Sequence, residues 1–123
     1  MSRESSEYKA VLQCTAGLTD LLQHNIFVSA KLLEKGLVTK EVYDWILTAQ
    51  GVANQDKAAR LVSCVIDRVK DSAQVLHDFV DVLKDDPFFA DIVDKLTSLH
   101  SKLSIANARL KLMYQYPFHS QDP

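Results

Sequence analysis

Four histidines and two cysteines are the side chains in this 123-residue sequence best suited to bind a metal or form covalent bonds, and their spacing assembles no familiar centre. His77 and Asp81 stand four apart, one above the other on a helix, so they could share a metal ion; no third donor follows in helical register, and they read as a solvated pair. His24, His100 and His119 are scattered and receive no role. Cys14 and Cys64 fall at helical positions without metal-ligand spacing and read as reduced core thiols. There is no glycine-rich phosphate loop, no Cys/His cluster and no Gly-x-Ser-x-Gly elbow. The expectation is therefore no enzyme: no catalytic residue, no cofactor-binding residue, no metal ligand and no cofactor.

The chemistry that remains is recognition. Lys57 and Arg60 place positive charge at one point of the chain, while Glu34, Glu41 and Asp44 place negative charge at another. Each alone would be an ordinary solvated face; the separation by sign makes them candidate partner-binding residues. Tyr43 and Trp45 flank the inward positions of their helix, where an aromatic can pack at the edge of a core or anchor a partner.

Composition limits what can carry these groups. With 47% hydrophobic and 24% charged residues, three Gly and three Pro, the chain has little turn material for an all-β fold. It is the length of one domain plus a tail. A net charge of -2 offers no broad positive field to a phosphate backbone, so nucleic acid is not an expected partner. No apolar run has signal-peptide or membrane-spanning character, which argues against membrane association and gives a cytoplasmic location by default.

Apolar periodicity predicts six helices. The first covers 7–23 through Tyr8, Val11, Leu12, Leu18, Leu21 and Leu22, with Gly17 as the point where it could bend. The second covers 26–35, capped by Asn25, with Phe27, Ala30, Leu33 and, past its end, Leu37 inward and Gly36 as its stop. Thr39 caps the third, whose inward residues are Val42, Ile46 and Ala49. The fourth opens at Asn54 or Gln55 and shows the clearest stripe: Ala58, Leu61, Val62, Val65, Ile66 and Val69. The fifth, 72–83, repeats it with Val75, Leu76, Phe79, Val80 and Leu83. Pro87 closes it and suits the first turn of the next element. From Phe89 through Ile92, Leu96, Leu99, Leu103, Ala106 and Leu110 to Met113 the spacing alternates 3 and 4. That is either a helix packed on its own bundle or a short coiled coil. The helix ends at Tyr116-Pro117, and the tail should be disordered. The divisions are a flexible N-terminus over 1–7, a domain over 8–97, a helical extension or coiled-coil start over 98–115, and a tail over 116–123.

The segment Leu33-Glu34-Lys35-Gly36-Leu37-Val38-Thr39, the helix start Asp56-Lys57-Ala58-Ala59-Arg60-Leu61 and the helix Leu76-His77-Asp78-Phe79-Val80-Asp81-Val82-Leu83, in this order and separation, resemble a caspase recruitment domain (CARD) of the death-fold superfamily. The likeness covers 8–96. It implies an all-α, six-helix antiparallel Greek-key bundle, without catalysis, that binds other CARDs homotypically in apoptotic or innate-immune signalling, with self-association into filaments. It also implies that Lys57 and Arg60 of one molecule meet Glu34, Glu41 and Asp44 of the next. Arg60 stands one position later than the family's basic residue, with Ala59 in its place. Three functions follow: an adaptor or scaffold, the regulatory prodomain of a protease, or a helical dimerisation module outside the death fold.

Overall fold

The computed structural model describes residues 5–115, which form seven α-helices, one 3₁₀ turn and no strand: α1 (Ser6–Gln13), α2 (Thr15–Gln23), α3 (Val28–Glu34), α4 (Lys40–Thr48), α5 (Asn54–Asp71), α6 (Gln74–Lys84), the turn Pro87–Phe89 and α7 (Ala90–Gln115). Among the described residues no helix is long and apolar enough to cross a membrane. The expected disorder over 116–123 and the helix end at Tyr116-Pro117 lie outside them.

Helix ends follow local chemistry. Ser5 Oγ accepts the Tyr8 N–H at 3.0 Å and starts α1, so Ser6 and Glu7 form a first helical turn instead of belonging to a flexible N-terminus. Thr39 Oγ1 does the same for Val42 at the start of α4. At the end of α3, Gly36 adopts φ +73°, which lets Leu37 N–H reach Leu32 C=O (2.8 Å) and Gly36 N–H reach Leu33 C=O (2.9 Å). This is the paired bonding of a Schellman stop, and its two flanking side chains, Leu32 and Leu37, both enter the core. Asp86 caps the 3₁₀ turn by accepting Phe88 N–H, with Pro87 in its first turn, as the sequence predicts.

The single helix expected over 7–23 is two. It breaks at Cys14, where the N–H tightens onto Val11 C=O and the Thr15 hydroxyl donates to Leu12 C=O at 2.6 Å, occupying a carbonyl that the break exposes. Gly17 does not bend the chain. It lies inside α2, and a Cβ there would sit 3.2 Å from Ile92 Cδ1, so its small size lets α7 lie close.

The second helix also departs from expectation. Asn25 does not cap it; its Nδ2 donates to Asp86 Oδ2 at 2.9 Å, tying the loop after α2 to the end of α6. Successive i to i+3 bonds from Val28, Ser29 and Ala30 back to Asn25, Ile26 and Phe27 form the entry, and α3 begins only at Val28. That delay turns Val28, Ser29 and Leu32 inward, leaves Leu33 half-buried, and puts Phe27 (85% exposed) and Ala30 at the surface.

The core otherwise follows the periodicity except in the first helix, where Leu12 is 45% exposed and Tyr8 and Leu21 are half-buried while Val11, Leu18 and Leu22 are core. The stripe of α5 is buried throughout, and α2, α1, α4 and α6 all pack on that helix. Ala53 precedes α5 without a side-chain cap, and α6 starts at Gln74, two residues later than expected. Within α6, Leu76, Phe79 and Leu83 are buried, Val82 joins them, and Val75 and Val80 are half-buried, as is Ala49 of α4. The seam of α7 divides along its length: Phe89, Ile92 and Leu96 are core, Leu99 and Leu103 half-buried, Ala106 and Leu110 exposed. Its first part therefore packs on its own bundle, and the helix crosses residues 97 and 98 without interruption. The side chain of Met113 lies outside the described residues.

Candidate functional site

Two places on this frame gather chemistry. One is the face of α4 and α5. Trp45 is half-buried, and the Arg60 guanidinium lies over its ring, 5.2 Å from the centroid, within cation–π reach. Arg60 and Glu41 line one shallow depression with Cys64 and Asp67. Glu34 is elsewhere, in a cleft between α3 and α6 beside Lys31, Lys35 and Asp85. The fold thus puts Arg60, Trp45 and Glu41 on one face and separates Glu34 from them. Tyr43 and Lys57 are half-buried and Asp44 is exposed. Among the described residues none of Lys57, Arg60, Glu34, Glu41 and Asp44 makes an ion pair; the Lys84–Asp81 bridge is the closest lysine–carboxylate contact.

The other place is built from α1, α6 and α7. Helices α1 and α7 run antiparallel, which sets Glu7 beside His100 and Ser6 beside Ser104; α6 and α7 are antiparallel too, which brings His77 to His100. Glu7 Oε2 accepts the His100 Nε2–H at 2.9 Å and lies 3.7 Å from His77 Nε2. The imidazoles meet edge to face, with centroids 5.4 Å apart. Ser6 Oγ donates to Glu7 Oε1 at 3.2 Å, and Ser104 Oγ donates on to Ser6 at 3.0 Å, so each proton in the chain has an acceptor. Burial of the Glu7 carboxylate (18% exposed) raises its pKa, but the bonds from the helix backbone, His100 and Ser6 outweigh this and hold it below the ordinary 4.5. His77 and His100 also line a cleft of about 420 Å³ between α6 and α7, with Leu76, Val80, Asp81 and Thr97.

The sequence reading missed this cluster. His77 turns toward Glu7, and Asp81 pairs with Lys84 at 3.6 Å. The three residues are separated by 70 and 23 positions, so no local spacing signals them; only the helix directions do. His24 is exposed, and His119 lies outside the described residues. Cys14 is buried and Cys64 half-buried, both free thiols, and burial raises the Cys14 pKa against the opposing charge of Lys95. Comparison with protein-family models, curated proteins and solved structures finds no match.

Proposed function

We propose that this chain is a non-enzymatic, cytoplasmic adaptor or scaffold module that associates through homotypic contacts with other caspase recruitment domains, in a six-helix Greek-key death fold with α1 and α2 standing as one broken helix. The observation that carries the proposal is the α4–α5 face. A guanidinium lying over an indole pairs an aromatic surface with a charge, the Trp/Arg chemistry enriched where binding energy concentrates. Its charge lacks an intramolecular carboxylate within ion-pair distance among the described residues, so an acidic residue of a neighbour, Asp44 foremost, can supply one. A repeated contact between two different faces does not close on itself unless its rotation permits a ring, and open growth into filaments follows.

Reversing Arg60→Glu should abolish sedimentable assembly while circular dichroism stays unchanged, and mixing in Asp44→Lys should restore part of it. High salt should weaken the parent's assembly. Folded single variants that both assemble like the parent would refute the proposal. A second reading, helical dimerisation through α7, is favoured by the exposed Ile105, Leu110 and Leu112 beyond the bundle. Light scattering separates the two: a discrete dimer that becomes monomeric when the chain is cut after Asn107 supports α7 as the contact.

A further inference from the structure

We propose that Glu7, His77 and His100 form a binding site for a divalent transition metal, with Zn²⁺ its best-suited ion. One donor atom from each of Glu7, His77 and His100 lies within 4.8 Å of the other two, and the Nε2 atoms of both histidines face Glu7 Oε2. Tetrahedral zinc with ligand bonds of about 2.0–2.1 Å sets neighbouring donors about 3.3 Å apart. The two distances from Glu7 Oε2, 2.9 and 3.7 Å, bracket that value, each about 0.4 Å from it. A small rotation of exposed His77 closes the gap.

The donor set selects the ion. Two imidazole nitrogens and one carboxylate suit zinc and its transition-metal neighbours, whereas Mg²⁺ and Ca²⁺ call for oxygen ligands. One negative charge from Glu7 and two neutral rings partly compensate a dication. The outer contact is present: the Ser6 hydroxyl on Glu7 Oε1 fixes the carboxylate, as hydrogen bonds behind metal ligands commonly do. On binding, His100 takes the Nδ1–H tautomer: its Nε2 proton passes to solvent as Nδ1 takes one up, so Nε2 is free to ligate and the ring stays neutral, and Ser104 keeps its bond to Ser6. Three protein ligands leave a fourth position, and both histidines border the α6–α7 cleft, so water or a small anionic ligand can enter there. The metal would tie α7 to α1 and α6, two of the helices on which its first half packs.

The test uses the full chain without an affinity tag, stripped of metal with a chelator. Calorimetric titration with ZnCl₂ should give one saturable site, and the melting temperature should rise with free Zn²⁺ because only the folded state holds the three donors together. Co²⁺ should produce the visible absorption of a four-coordinate site. His77→Ala with His100→Ala should abolish both signals, and Glu7→Gln, which keeps the size of the side chain but replaces the charged ligand oxygens with a neutral amide, should weaken Zn²⁺ by at least the roughly 10–100-fold that loss of an outer-shell partner costs. Circular dichroism checks that each variant is folded. A parent chain with no saturable binding, or binding unchanged in folded Glu7→Gln or in the double histidine variant, would overturn the assignment.

Discussion

Phe79 and Phe27 test the core by the same chemical change in opposite surroundings. Periodicity turns both inward; the structure leaves Phe79 with no exposed surface and Phe27 85% exposed. Phe79 sits on the inner face of α6, and its ring belongs to the cluster built around α5. Phe79→Ala removes the ring's transfer free energy and leaves a cavity that rigid helices close only in part, at a cost of about 3–5 kcal/mol. With about 110 described residues and an unfolding entropy near 2.1 cal/mol/K per residue, the melting point falls by about 4 °C per kcal/mol, so roughly 13–22 °C in total. That is a large fraction of the ~5–15 kcal/mol that holds a domain folded. Phe27→Ala removes a ring that water already touches and should change stability by no more than about 0.5 kcal/mol. Urea unfolding followed by circular dichroism gives both values. Equal losses in the two variants, or a Phe79→Ala loss under about 1 kcal/mol, would refute this account of α3 phase and α6 packing.

Two further outcomes follow from the α1–α7 contact. The pKa of Glu7 is depressed in the folded chain, so its ionised form contributes stability that is present above the ordinary value of 4.5 and is lost as pH falls through the folded value; Glu7→Gln should therefore flatten the acid side of the stability–pH curve below that value, measured by urea melts. Ending the chain after Thr97 removes half-buried Leu99 and Leu103 with the His100 and Ser104 bonds, and should cost roughly 2–4 kcal/mol in thermal melts, whereas ending it after Asn107 should cost less than about 1.

The helical class, the caps at Thr39 and Gly36, the buried stripe of α5 and the stop at Pro87 were legible in the residues, because each rests on local physics: a side-chain oxygen within reach of a nearby N–H, a glycine free to take positive φ, an apolar repeat of 3.6. The break at Cys14 was not, since no glycine or proline marks it and the tightened turn gains its meaning from burying both Val11 and Leu18. Nor was the phase of α3: Phe27, Ala30 and Leu33 make one plausible inward set and Val28 with Leu32 another, and the Asn25–Asp86 bond, 61 residues apart, accompanies the choice of the second. The heptad seam from Phe89 is a single pattern in sequence, yet its first half is core and its exposed end begins where α1 no longer covers it. The Glu7–His77–His100 cluster depends most on tertiary structure. Its donors come from three helices, and two antiparallel packings, α1 on α7 and α6 on α7, bring them together across 93 residues of chain. Short-range spacing determines which residues share a helix face; the order and direction in which the faces pack determine which side chains meet.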